Sequence, residues 1–467
     1  MKFAHLINIF LISSILYTET LLVPSDYSTI QLAINNSLSN DTILVSPGIY
    51  QENLVIDNIE ITLLSLEGFE NTIIDGSSGG ATVQFHNTPE ATSINGFTIQ
   101  GGSGYYMGGA TYGGGVFGNL SEPSLNNLYI INNSSFAGGG VAFISNSQTS
   151  LNPKIFNCVI QDNQASEGGG IFCANKNLYV SNTDILFNGM DPYGSGGGIQ
   201  ALVANLNITD VSIQNNHSRF GGGVYIGNSQ AVIDNSIISN NVSDSKGGGI
   251  WVGSDSQLGI SKTLISENFS DGFGGGIFIS LSWIAINQST IASNIVSPSV
   301  SGAGIYADGG GALVQNSIIY FNRREGSESI NYNLDGYSSS YLIEYDVEYS
   351  DIEGSGDWVP EGFGVISIDP EFEEGSYYLS ELSPCIDAGS PNYTDPDGTI
   401  LDMGAYYFNQ GFCEISGDLN LDGIINILDI IAKNAYLQLL SLNLVPKVKN
   451  ELNNSILNRK NGKEKDL

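Results

Sequence analysis

The chain predicts an all-β fold, a right-handed parallel β-helix with three strands and about 27 residues per coil, and three regularities predict it. A glycine cluster recurs eight times, from Gly113-Gly114-Gly115 through clusters ending at Gly140, Gly170, Gly198, Gly223, Gly249, Gly276 and Gly304. Each cluster is followed by Ile-x-x-Asn, with isoleucine at 130, 160, 185, 213, 238, 265, 291 and 319 and asparagine three residues on, from Asn133 to Asn322. The arc from the last glycine to the isoleucine is 15 residues in six of the eight copies, whereas the asparagine-to-glycine turn varies from five to eight. A fixed arc and an elastic turn suit a solenoid, in which each unit contacts only its neighbours and surface loops absorb changes of length.

Within the fixed arc, three short stretches alternate apolar and polar, the period of strands. The first follows the glycines (Val116, Val141, Ile171, Ile199, Val224, Ile250, Ile277, Ile305). The second shows in Leu178/Val180, Leu206/Ile208, Leu258/Ile260 and Ile284/Ile286, and the third holds the recurring isoleucine. Parallel connections take the right hand, and stacked coils rise about 4.8 Å each. The recurring asparagines suit tight left-handed turns, and stacked coil on coil their amides can bond one another along the axis. Asn133-Ser134-Ser135 and Asn207-Ile208-Thr209 also match a glycosylation sequon, but the ladder position recurs and the sequon does not.

From the N-terminus, residues 1–20 read as an export signal: Lys2 precedes an apolar run from Leu6 to Tyr17 that is too short to span a bilayer. The chain is therefore expected to be secreted or held on the outer cell surface. Ser28-Thr29-Ile30-Gln31 forms a capping-box pattern, and Ile30, Ala33, Ile34 and Leu38 follow at helical spacing. A short helix there would cover the open N-terminal end of the stack, since an uncovered end exposes unpaired strand edges. Strands at Thr42–Val45, from Leu54 to Leu64, and near Thr72 and Phe97 start the coils. The β-helix with its caps is expected over 21–408, the acidic stretch from Glu344 to Glu374 forming a solvated C-terminal cap. Asp395, Asp397 and Asp402 read as a turn rather than a cation site.

Composition narrows the partners. A net charge of -33 argues against nucleic acid and anionic membrane surfaces, and no segment after the leader is apolar enough to cross a bilayer. Six of the fifteen Lys and Arg residues fall in the last 21 positions, so 441–467 reads as a disordered basic tail. Of the four cysteines, Cys158 and Cys173 take inward strand positions and read as buried thiols. Whether Cys385 and Cys413 form a bridge stays open.

The stretches Val23-Pro24-Ser25-Asp26-Tyr27-Ser28-Thr29-Ile30-Gln31 and Val45-Ser46-Pro47-Gly48-Ile49-Tyr50-Gln51-Glu52-Asn53 resemble the opening of exported β-helix proteins of the pectin-lyase-like superfamily. The repeats resemble those of polymorphic outer-membrane-type β-helices. Ser383-Pro384-Cys385-Ile386-Asp387-Ala388-Gly389 and Asp402-Met403-Gly404-Ala405-Tyr406 resemble the closing segment of bacterial surface β-helix proteins. The resemblance implies the fold; activity does not follow, because this superfold hosts lyases, hydrolases, esterases and non-enzymes.

Residues 409–440 carry a twelve-residue loop with oxygen ligands at the EF-hand positions: Asp418, Asn420, Asp422, the Ile424 carbonyl, Asn426 and Asp429, with Gly423 at the turn. The cofactor expected is calcium. The loop resembles one half of a dockerin, which implies a cohesin-like partner. Dockerins carry two such loops, and no second one follows Leu440.

Two columns are candidate sites. Directly after each inward residue of the first strand, an outward position is aromatic in six of eight copies: Phe117, Phe172, Tyr225, Trp251, Phe278 and Tyr306. Exposed in a row, these would stack on sugar rings; covered, they would form a structural ladder. The variable turns bring Asp191, His217, Arg219, Asp244 and Lys246 close together, the residue types of an acid–base or lyase site. The expected function is non-catalytic binding of an extracellular polysaccharide or other surface ligand along a strand face. A polysaccharide lyase or glycoside hydrolase and a structural adhesin or spacer are the alternatives.

Overall fold

A computed structural model describes residues 18–410, with short interruptions at 78, 149–150, 254, 328–332, 339–341 and 355–360, and without the side chains of 190–192. The expected export signal up to residue 17, the expected EF-hand-like loop, Cys413 and the expected basic tail lie outside the described residues. By contacts the chain divides into one unit, 1–395 with 400–408, and a second, 396–399 with 409–467.

The repeats wind into three parallel sheets. The first runs from Leu54–Asp57 through Val116–Asn119, Val224–Gly227 and Ile250–Gly253 to Leu334–Gly336. The second runs from Thr20–Val23 through Gln230–Asp234 and Gln257–Ser261 to Ile343–Glu348, and the third from Gly48–Tyr50 to Asp351–Ile352. Equivalent residues sit in direct register, as in Val224↔Ile250, Ala231↔Leu258 and Ile238↔Ile265. The chain is thus a parallel β-solenoid, and all eight recurring isoleucines expose no surface. A shared inward face every second residue builds one continuous apolar core, to which burial contributes roughly 25 cal/mol per Å². The variable turns are more ordered than three strands per coil predicts. Gly189–Ser195, His217–Phe220, Val242–Lys246, Phe269–Ser270, Ile295–Val296 and Arg323–Arg324 form a fourth parallel sheet. Loop length varies there without breaking the stack because the pairing absorbs register shifts, for example between His217–Phe220 and Val242–Lys246.

The asparagines form the ladder expected. Each Nδ2 donates to the Oδ1 of the next coil's asparagine, as in Asn216→Asn241 at 3.0 Å and Asn241→Asn268 at 3.0 Å. The left-handed residue is the one before, Asn240 (φ 56) or Asn215 (φ 56), so the turn and the ladder are separate jobs on adjacent positions. Asn133 is buried, which leaves its sequon inaccessible. The glycine clusters answer two constraints. Gly247 has φ 71, and a Cβ on Gly249 would lie 2.6 Å from the Gly276 carbonyl oxygen of the next coil.

The N-terminal helix spans Ile30–Asn36 and buries Ile30, Ala33 and Ile34. Its cap differs from the expected capping box. Thr29 accepts from Leu32 N, and the Glu52 carboxylate, from the following loop, takes the N–H groups of Ile30 and Gln31 at 2.9 Å each. The helix ends before Leu38, which is exposed.

At the other end, the acidic stretch is not a solvated cap throughout. Ile343–Glu348 and Asp351–Ile352 are a last turn of the second and third sheets. The following chain folds back as a strap over the outside of the third sheet. Gly404 N donates to the Asn316 carbonyl, Ala405 N to Thr290 Oγ1, and Tyr377 Oη to Glu267 Oε1. Leu379, Cys385 and Met403 bury Ile318 beneath the strap. Cys385 is a free buried thiol donating to Asp351 Oδ2 at 3.3 Å. Cys158 and Cys173 are buried thiols too, each pushed up to about 12 by burial. Asp395 and Asp402 hold turn backbone, Asp402 N donating to Asp395 and Asp387 N to Asp402. In the second unit Asp397 likewise accepts from Thr399.

Candidate functional site

The exposure expected of the aromatic column is not found. Phe117, Phe172, Phe278 and Tyr306 are buried, and Tyr225 and Trp251 are half-buried. A hairpin, Tyr105–Met107 paired with Ala110–Tyr112, lies over the start of the column, with Tyr105 stacked on Phe117 at 4.6 Å. Further along, Tyr225 and Trp251 stack at 4.2 Å with rings 3° from parallel, Phe278 follows Trp251, and Phe273 from a turn lies 4.3 Å from Tyr306. One ring per coil at the coil spacing makes neighbours stack on each other.

The turn column is brought together only in part. His217 Nε2 lies 2.8 Å from Asp244 Oδ1, each about a third exposed. Lys246 turns instead onto the Phe278 ring, its Nζ 4.5 Å from the centroid, and Arg219 lies over Phe220 at 5.1 Å. Both cations face rings, where cation–π attraction holds them. The Asp191 backbone is in register with Ser218. Among the described residues, no group of three or more His, Cys, Asp or Glu side chains could hold a metal ion.

The strap covers the later coils of the third sheet, from Glu267 to Ile318, and the first sheet carries its hairpin and ring ladder; the outer face of the second sheet is exposed at Gln230, Gln257 and Trp283. An open groove of about 680 Å³ runs there across five coils. Two outward columns line it. One is Asn205, Gln230, Gln257 and Trp283, in register coil by coil; the other is Asn207, Val232, Gly259, Ala285 and Leu313. Tyr179, exposed, precedes Asn207 in the second column. Trp283 exposes 50% of its surface.

The amides along the first column change role at the groove. Up to its first coil they pair with each other: Asn177 donates to Asn152, and Asn205 Nδ2 to Asn177 Oδ1 at 2.7 Å. Among the described residues Gln230 and Gln257 have no such partner, and both are exposed. Gly259 is a second departure. Glycine weakens a strand by roughly 0.5–1 kcal/mol relative to alanine, and this one has no left-handed φ to require it. A Cβ built there meets nothing within 4 Å, so the missing side chain leaves an open notch beside Trp283 and Val232. A glycine in a strand interior often marks close approach by another molecule. The sequence held this signal. Leu258 and Ile260 face inward, which puts Gly259 outward, and the Ile284/Ile286 pair does the same for Trp283 and Ala285.

No family model matches the chain, and no curated protein does. Among solved structures, the chain is similar to the pectate lyase Pel9A, at 14% identity over 84% of this chain and 97% of that one, with a TM-score of 0.38. It is also similar to a pectin methylesterase from carrot, at 14% identity over 70% of this chain and 87% of that one, TM-score 0.28. A pectin methylesterase from Aspergillus niger matches at 14% identity over 75% of this chain and 90% of that one, TM-score 0.19. The parallel β-solenoid itself rests on the strand register described above.

Proposed function

We propose that the protein is a secreted or cell-surface β-solenoid that binds an extracellular polysaccharide along the outer face of its second sheet. The observation that carries this reading is the groove: an exposed indole, two exposed glutamine amides without partners among the described residues, and a glycine notch, aligned over successive coils. Indole faces pack against the apolar faces of sugar rings while amides exchange hydrogen bonds with hydroxyls. The test is retention of the purified chain on a panel of insoluble polysaccharides. Retention without product release, lost in Trp283→Ala and kept in Trp251→Ala, is expected. Failure to be retained on any polysaccharide, or loss only in Trp251→Ala, refutes the assignment.

A second reading is a polysaccharide-degrading enzyme on the same scaffold, favoured by the His217–Asp244 pair, each about a third exposed. Release of reducing or unsaturated ends, abolished by His217→Ala, would establish it in place of the first. The loop Asp418, Asn420, Asp422, Ile424, Asn426 and Asp429 supports calcium binding by its ligand spacing. Docking to a cohesin-like partner has one loop in support where dockerins have two.

A further inference from the structure

We infer that the ligand is an uncharged polysaccharide whose chain lies along the solenoid axis, one sugar unit per coil across five coils. This rests on the glycan-binding reading and goes beyond it by fixing the charge, the direction and the length of what is bound.

Charge comes from the lining. From Asn205 to Leu313 every lining side chain is an amide, an aliphatic group, an indole or absent, and none ionises. A polyanion such as a polyuronate needs cations at its carboxylates, and the groove offers none while the chain carries a net charge of -33. The nearest cations lie outside this lining: Lys262 stands exposed at the left-handed turn after Ser261, and Lys154, one coil before Tyr179, pairs with Glu90 at 2.6 Å. Neutral hydroxyls are what amides match, since Gln230 and Gln257 each offer two donors and an acceptor.

Direction comes from register. Gln230, Gln257 and Trp283 repeat along the axis, not across a strand. Their spacing of about 4.8 Å per coil is close to the length of one pyranose ring in an extended chain. A sugar chain laid along the column meets a glutamine amide at two successive units and the indole at the next. Laid across the strands it would meet one coil's groups and cross the flanking turns. The notch at Gly259 falls beside Gln257, where a ring can approach the backbone.

The test uses the polysaccharide that retains the whole chain, cut into fragments of two to eight units, with oligogalacturonates of the same lengths beside them, titrated by calorimetry. Affinity for the neutral fragments is expected to rise with each unit up to five and then level, with oligogalacturonates binding at least tenfold more weakly. Gly259→Val, which fills the notch with a residue strands favour, is expected to weaken the five-unit fragment about tenfold while leaving circular dichroism unchanged and melting unchanged or raised. Levelling at two or three units, retention only by charged polysaccharide, or indifference to Gly259→Val overturns the inference while leaving glycan binding standing. Absence of retention by every polysaccharide would overturn the underlying reading instead.

Discussion

Replacing Asn241 by alanine separates the asparagine ladder from the turn beside it. In the intact protein Asn241 Oδ1 accepts from Asn216 N and from Asn216 Nδ2, both at 3.0 Å. Its Nδ2 donates to Asn268 Oδ1 at 3.0 Å and to the Ile213 carbonyl at 2.9 Å. Alanine leaves the Asn216 backbone N–H with no acceptor, removes one of two bonds from Asn216 Nδ2, and takes a donor from Ile213. Asn216, Asn241 and Asn268 are fully buried, so solvent does not replace these partners. At about 1–3 kcal/mol for a buried group left unsatisfied, with the orphaned N–H the largest share, the expected loss is on the order of 4 kcal/mol. Asn240→Ala is the control. That residue is exposed and left-handed at φ 56, and alanine there costs about 1 kcal/mol of backbone preference. Urea unfolding reads the difference as a shift in midpoint. Because repeat arrays depart from two-state behaviour, hydrogen exchange at the Asn216 amide gives the local reading, with protection falling in Asn241→Ala and holding in Asn240→Ala. Equal midpoints for the two variants, or an Asn216 amide that exchanges no faster, would refute the ladder as a stabilising element.

Three further outcomes are expected, two from the structure and one from the ligand spacing of the sequence. Burial raises Asp351 to about 6, so its fold-derived stabilisation is full below the unfolded value of 3.8 and is lost as pH rises through 6. That difference is about 3 kcal/mol, and Asp351→Asn should reduce the drop in melting temperature between pH 4 and pH 7, measured by scanning calorimetry. Gly249→Ala places a methyl 2.6 Å from the Gly276 carbonyl and should lose at least about 2 kcal/mol, whereas Gly259→Ala meets open space and should be neutral or stabilising by under about 1 kcal/mol. Calorimetric titration of the full chain with calcium should show a heat of binding that disappears in Asp418→Ala; a wild-type chain giving no heat removes the site.

The solenoid was legible because inward positions obey one rule, an apolar and most often β-branched residue every second place, and the period repeats often enough to be unmistakable. Ile130 and Ile319 could be assigned to the core from the letters alone. The cap was less legible, because Glu52 reaches the helix N-terminus from 21 residues away and no local pattern announces it. The aromatic column misled for a related reason. Alternation identifies Phe117 as outward, but cannot show that Tyr105 and Tyr112 fold back over that face. The strap, through Tyr377, Leu379 and Ala405, covers the later coils of the third sheet by contacts more than a hundred residues apart in sequence, such as Ala405 with Thr290. The groove was readable in principle. Gly259 and Trp283 stand out once the second strand's outward positions are aligned coil by coil.

The most direct measurement leaves Trp283 as the sole tryptophan, through Trp251→Phe and Trp358→Phe, and follows its fluorescence as a retained polysaccharide is added. The account predicts a saturable shift and quench of the emission with the same midpoint as binding measured by calorimetry. An indole whose emission stays fixed while the polysaccharide saturates the protein would place binding elsewhere and contradict the groove.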